Sequence, residues 1–285
     1  MMKKIVFTLV SALILLSCNS EKRTGEPTIF VTIPPLKALV EEITSGDFKV
    51  EVLLKEGASP ESYEPTAQQI ASLNDAELVV TIGLIDFERS LTENIDDNER
   101  FVELSEGVEL IEGSCSHHHH HHHHHGIDPH IWTSPRALRT MVNNLDRKLH
   151  DIFPDSTKYC DKAQQVMARL ASLDSYCGSL LNSSNVKAIM IYHPAYTYLV
   201  RDYAIEQITI EHEGKEPTPR QLADIVDKGR EMGIKRIFHQ PQYNPDKLRS
   251  IAEEIGAEVV MCNPLSENIE LEIRNIVEQI ARSNE

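Results

Sequence analysis

Residues 29–54 read IFVTIPPLKALVEEITSGDFKVEVLL, and their hydrophobic pattern determines which fold is expected for the chain. Ile29 to Ile33 and Phe48 to Leu54 are short runs rich in β-forming residues. Leu36 to Ile43, which follows two prolines, has apolar residues at helical spacing. A strand, a helix and a second strand in succession are typical of a βαβ unit, whose strands lie parallel in one sheet.

The same alternation continues on both sides of the middle of the chain. Thr66 is expected to cap a helix that contains Ile70 and Leu73. Further strands are predicted at 78–82, 186–192, 207–210, 236–239 and 258–262, and further helices near 195–203, at 218–232, from 244 onward and at 268–282. An acidic stretch, Glu88 to Glu112, separates the first of these strands from the middle of the chain.

Two successive predicted helices interrupt the alternation. The first begins at Ser134-Pro135, a favourable N-cap and first-turn pair, and the second follows Pro154-Asp155. No strand lies between them, so the second helix is expected to connect two domains. The sequence therefore predicts two parallel-sheet α/β lobes joined by a long connecting helix. The expected bounds are an N-terminal lobe at 28–153 with a histidine-rich loop at 113–126, the connecting helix at 154–184 and a C-terminal lobe at 185–285.

The N-terminus has the layout of a secretory signal. Lys3 and Lys4 precede an apolar stretch, Ile5 to Leu16, that is too short to span a bilayer, which needs about 20 residues. Its end, Leu-Leu-Ser-Cys, resembles a bacterial lipobox, in which Cys18 carries the lipid. We expect 1–17 to be a signal peptide and 18–27 a tether to the membrane. The alternative is an ordinary signal with cleavage nearby, which leaves Cys18 incidental.

The net charge argues against one class of function. At −16 it is unfavourable for nucleic-acid binding, which requires a basic surface.

Two of the cysteines are not expected to form a disulfide bond. Cys160 and Cys177 are expected on one helix about 25 Å apart, which is too far for such a bond.

A run of nine histidines lies in the middle of the chain, where it is unlike a terminal affinity tag. Neutral imidazole is a ligand for zinc, copper and nickel. Nine adjacent rings cannot all converge on one tetrahedral ion, so the run is interpreted as a flexible metal collector, or alternatively as a dispensable low-complexity insert. These accessory residues are His117, His118, His119, His120, His121, His122, His123, His124 and His125.

Four isolated residues are candidates for a defined metal site. His193 and His239 lie at the ends of predicted strands, where open parallel sheets bind ligands. Glu61 lies in the loop after the strand Phe48 to Leu54, and His130 follows the histidine run. Two candidates belong to each lobe, so the site is expected in the cleft between the lobes. Histidines at strand ends are also often structural, and position alone does not decide between the two roles.

Three motifs give the chain a family resemblance. They are GASPESYEPT at 57–66, DPHIW at 128–132 followed by Pro135, and HPAYTY at 193–198. In this order, with a lipobox and a histidine-rich loop before the second motif, they resemble the periplasmic or lipoprotein zinc- and manganese-binding proteins of bacterial ABC importers. The resemblance covers essentially all of 28–285. It implies an extracytoplasmic lipoprotein that captures zinc and delivers it to an ABC permease and its ATPase.

The chain departs from the family pattern at two ligand positions. Glu61 stands where the first motif normally has a histidine, and His239 stands in a motif that normally reads Phe-x-Glu-Pro-Gln. We hypothesise that the two changes compensate, which gives a zinc site of Glu61, His130, His193 and His239. The alternative is a three-histidine site with Glu61 outside it. The extra oxygen donor also makes Mn²⁺ or Fe²⁺ possible.

Other roles are weighed against transport. A surface adhesin or metal buffer without a permease is one alternative. A zinc metalloenzyme with Glu61 as its base is another, but the chain lacks the His-Glu-x-x-His helix and the nucleophile elbow of hydrolases, so no enzyme is expected. We expect a monomer. His150 is expected on the surface, and His212 in a loop near the mouth of the cleft.

Overall fold

The N-terminal lobe is built on a four-stranded parallel sheet. The computed structural model describes residues 26–93, 98–112, 126–211 and 215–284. The strands β1 (Thr28–Val31), β2 (Lys49–Val52), β3 (Leu78–Thr81) and β4 (Phe101–Glu103) lie in the order β2-β1-β3-β4. The helices of this lobe are α1 (Pro35–Ile43), α2 (Ala67–Ser72) and α3 (Asp86–Glu93). The predicted βαβ unit at 29–54 is therefore confirmed.

Two long helices follow in the middle of the chain: α4 (Pro135–Ile152) and α5 (Thr157–Ser184). Ser134 caps α4, since its hydroxyl accepts hydrogen bonds from the backbone N–H groups of Arg136 and Ala137. The helix α5 buries one stripe at spacings of three and four residues. The buried residues are Tyr159, Ala163, Val166, Leu170, Leu173, Cys177 and Leu181.

The C-terminal lobe repeats the architecture of the first. The strands β5 (Ala188–Ile191), β6 (Glu206–Thr209), β7 (Arg236–His239) and β8 (Glu258–Met261) are all parallel, in the order β6-β5-β7-β8. Its helices are α6 (Thr197–Asp202), α7 (Pro219–Glu231), α8 (Asp246–Ile255) and α9 (Ile269–Ala281). The fold is thus two parallel-sheet α/β lobes joined by a long helix, as the sequence predicts.

The helix α5 binds both lobes. Arg169 on α5 forms paired hydrogen bonds with Glu42 of α1, at 2.7 and 2.9 Å, and with Glu270 of α9, at 2.8 Å each. One continuous apolar core also contains side chains from both lobes and from α4 and α5. Because the lobes share a core and an ion-pair network, large independent lobe movements would expose apolar surface.

Two elements of the acidic region, α3 and β4, were not predicted from the sequence. A charged residue is usually exposed, but the carboxylate of Glu88 is only 3% exposed and accepts hydrogen bonds from the backbone N–H groups of Ile82, Gly83 and Ile85. The hydroxyl of Thr32 donates to it as well. Glu88 therefore stabilises the turn after β3, and burial raises the pKa of its carboxyl group.

Candidate metal site

The site lies where loops from the two lobes meet. Glu61 belongs to a single helical turn, Pro60–Ser62, in the loop after β2. His130 precedes a second short turn, Ile131–Thr133, and His193 lies two residues beyond β5. Both histidines are buried, at 3% and 5% exposed, whereas the side chain of Glu61 is 21% exposed. Glu61 is therefore the donor nearest to solvent.

Three donor atoms converge at this point. Glu61 Oε1 lies 3.3 Å from His130 Nε2 and 3.1 Å from His193 Nε2, and the two Nε2 atoms lie 3.2 Å apart. A tetrahedral zinc ion with bonds of about 2.0–2.1 Å requires donor separations of about 3.3–3.4 Å. The three atoms therefore match one face of such a coordination shell before any ion enters.

Two buried carboxylates orient the imidazole rings. Asp128 Oδ1 lies 2.8 Å from His130 Nδ1 and also accepts a hydrogen bond from the backbone N–H of His130, at 2.9 Å. Glu211 Oε1 lies 2.8 Å from His193 Nδ1. Each carboxylate accepts a hydrogen bond from the Nδ1–H of its imidazole, and the Nε2 atom of that ring is thereby directed at the candidate ion position. Asp128 thus holds both the backbone and the ring of His130.

The carboxylate of Glu211 was not predicted as part of the site. It lies two residues beyond β6, the strand adjacent to β5, so its position at the carboxyl edge of the same sheet was the available signal. Gln240 is a second residue that sequence reasoning missed. It is 1% exposed, its amide donates to the backbone carbonyl of His193 at 2.7 Å, and it thereby fixes the loop that carries His193.

The structure brings together three of the four residues in the zinc-site hypothesis, Glu61, His130 and His193, and His239 is not part of this group. Its Nδ1 lies 3.3 Å from the backbone carbonyl of Gln240, and the cavity at the site is lined by Gln240 instead. The three-histidine alternative places Glu61 outside the site, whereas here its carboxylate lies with the two imidazoles.

The cavity at the donor atoms is small. Its volume is about 20 Å³, which is room for a water molecule or a single ion. A wider cleft of about 640 Å³, lined by loops of both lobes, shares Gln242 and Leu265 with it. The geometry suits a bare ion that reaches the donors from this cleft.

The remaining predicted residues fall into two groups. His150 is exposed on α4, and Cys160 and Cys177 are free thiols on α5. The histidine run 117–125, His212 and Cys18 lie outside the described residues. Within 26–93, 98–112, 126–211 and 215–284, no helix is both long and apolar enough to cross a bilayer.

The carboxylates around the site raise the pKa values of both histidines, so protonated imidazole is favoured there when no ion is bound. Burial lowers the pKa of His130, but Asp128 and then Glu61 outweigh it and raise the pKa to about 10. Burial likewise opposes a charged His193, yet Glu211 and Glu61 raise its pKa. The two histidines also outweigh the burial of Glu61 and hold its pKa well below the usual value.

Metal binding should therefore release protons. Below pH 10 an ion must displace the proton on His130 Nε2, so we expect about one proton released per ion at pH 8 and an apparent affinity that rises about tenfold per pH unit. Calorimetry at pH 7, 8 and 9, in buffers of different ionisation enthalpy, measures both quantities. An affinity independent of pH over this range would contradict the arrangement.

Comparison with known proteins gives a consistent result. The family model described as "ZnuA: Zinc-uptake complex component A periplasmic" matches residues 29–281. The zinc-binding lipoprotein AdcA of Streptococcus pneumoniae is 26% identical over 279 residues, and the match covers 93% of this chain and 56% of AdcA. The high-affinity zinc uptake system protein ZnuA of Bacillus subtilis is 26% identical, with 87% of this chain and 81% of that protein covered. This chain thus spans little more than half the length of AdcA.

Solved structures share the fold. A crystal structure of ZnuA superposes with a TM-score of 0.82 at 29% identity, covering 92% of this chain and all of that chain. A deletion mutant of ZnuA with zinc bound has a TM-score of 0.81 at 29% identity, with 91% of this chain and 98% of that one covered.

Proposed function

Since the chain belongs to the ZnuA family of periplasmic zinc-uptake components, we propose that it captures zinc outside the cytoplasm and delivers it to an ABC importer. One observation carries the proposal: Glu61, His130 and His193 present three donor atoms to one point in the cleft between the lobes. The family consists of solute-binding components and is not an enzyme class. Glu61 lies among the donors, which argues against the role of a free catalytic base.

The donor set favours zinc as the cargo. Two imidazole nitrogens and one carboxylate oxygen are common zinc ligands, and the zinc-bound relative supports the same choice. Three donors leave a fourth position for water or another ligand. Mn²⁺ and Fe²⁺, which accept more oxygen donors, are secondary candidates.

The rest of the transport role follows from the sequence features. We propose that Cys18 carries a lipid anchor, that 18–27 is the tether, and that the chain works as a monomer with a permease and its ATPase. The two lobes at 28–153 and 185–285, with the connecting helix at 154–184, would form the body that the permease recognises. The histidines at 117–125 would raise the local zinc concentration beside the cleft.

Deleting residues 117–125 tests the assignment. We expect the deletion variant to retain one tight zinc site per chain, because the proposed donors lie outside the deleted segment. Zinc titration with a chromophoric competitor, with the stoichiometry counted, measures this. Loss of all tight binding in the deletion variant would move the function to the histidine run and contradict the proposal.

A further inference from the structure

The two carboxylate oxygens of Glu61 have different partners. Oε1 faces the two imidazoles, at 3.1 and 3.3 Å, whereas Oε2 accepts a hydrogen bond from the hydroxyl of Ser59. Ser59 precedes the turn Pro60–Ser62 and lines the cavity at the site. One oxygen of Glu61 is therefore directed at the ion position, and the other is occupied by the protein itself.

Tyr243 reaches the same cavity from the opposite lobe. It lies in the loop after β7 and lines the cavity together with Ser59 and Glu61. The Tyr243 ring stacks on His193, with centroids 5.6 Å apart and an interplanar angle of 25°. Tyr243 thus packs against one histidine of the site and borders the cavity that Ser59 and Glu61 also line.

We propose that Ser59 restricts Glu61 to a single donor oxygen and so makes the site selective for a four-coordinate ion. A carboxylate that binds through both oxygens adds a ligand, which suits ions that prefer six oxygen-rich positions, such as Mn²⁺. A carboxylate that binds through one oxygen suits tetrahedral zinc. Ser59 is a positioning residue here, because it acts on the ion through Glu61. The inference rests on the proposed function, in which Glu61 is a donor.

The test is the ratio of zinc affinity to manganese affinity in the variant without residues 117–125. Partners of metal ligands typically change metal affinity by about 10–100-fold when they are replaced. We expect Ser59→Ala to lower the zinc-to-manganese ratio by at least about tenfold, and Ser59→Thr, which keeps the hydroxyl, to restore it. Ser62→Ala, an exposed serine of the same turn, is the matched control and should leave the ratio unchanged.

X-ray absorption on the manganese-loaded proteins provides the second readout. We expect an additional oxygen in the first coordination shell of Ser59→Ala and the parental shell in Ser59→Thr. A ratio unchanged in Ser59→Ala, or equal losses in the alanine and threonine variants, would overturn the inference. Failure of Glu61→Ala to weaken zinc binding would instead overturn the proposed function, so the two failures are distinguishable.

Discussion

His193→Ala is expected to weaken zinc binding by about 100-fold in the protein that lacks residues 117–125. Four-ligand zinc sites gain about 10–16 kcal/mol on binding, so one ligand contributes roughly 3 kcal/mol, which corresponds to about 100-fold in affinity. Glu61→Ala and His130→Ala should have effects of the same size, because each removes one of three converging donors. Competition titration with a chelator of known affinity measures all three.

His239→Ala is the matched control for these variants. It removes an imidazole from the end of β7, next to the site in sequence, but from a side chain outside the donor group. Its zinc affinity should stay within about twofold of the parental value, a difference of about 0.4 kcal/mol. A loss of about 100-fold in His239→Ala, with little change in His193→Ala, would contradict the three-donor site.

Trp132→Ala is expected to lower the free energy of unfolding of the zinc-free protein by about 3–5 kcal/mol. Trp132 is 1% exposed, its ring lies 5.1 Å from the ring of His130, and its Nε1–H donates to the backbone carbonyl of Pro264 in the other lobe at 2.8 Å. The substitution removes a large buried ring and also leaves that carbonyl without its donor. Urea denaturation followed by circular dichroism measures the change.

Trp132→Phe separates the two contributions of the indole. It keeps an aromatic ring but removes the donor, so we expect a loss of about 1–3 kcal/mol. Leu271→Ala, at a side chain that is 51% exposed on α9, should change the free energy of unfolding by less than about 0.5 kcal/mol. A Trp132→Ala variant as stable as Leu271→Ala would contradict the role of Trp132 between the lobes.

Local chemistry made much of the fold predictable. Thr66 forms the expected capping arrangement with Gln69, and Thr218 forms one with Gln221, since in each pair the side chains and backbone N–H groups are reciprocally bonded. These caps and the apolar spacing are properties of neighbouring residues, which a sequence displays directly. The strand β4 was not predicted, because it has only three residues, Phe101–Glu103, and lies in an acidic stretch.

The site was only partly predictable, because its composition depends on side-chain direction. The sequence indicates that His193 and His239 both lie at the ends of strands, yet this position does not tell which side chain reaches the other donors. Gln240 lines the cavity at the site, and His239 is not part of the group of converging donors. Glu211 was not predicted for another reason. It lies 18 residues from His193 in the chain, and the two meet because β5 and β6 are neighbours in the sheet, a pairing that the sequence does not show directly.

A crystal structure of the zinc-loaded protein, with the ion located by anomalous scattering at the zinc edge, tests the three-donor site. We expect one strong peak in the cleft, about 2.0–2.2 Å from Glu61 Oε1, His130 Nε2 and His193 Nε2. His239 should lie outside the coordination shell. A zinc ion bonded to His239, or a peak in the cleft that is not bonded to Glu61, would contradict it.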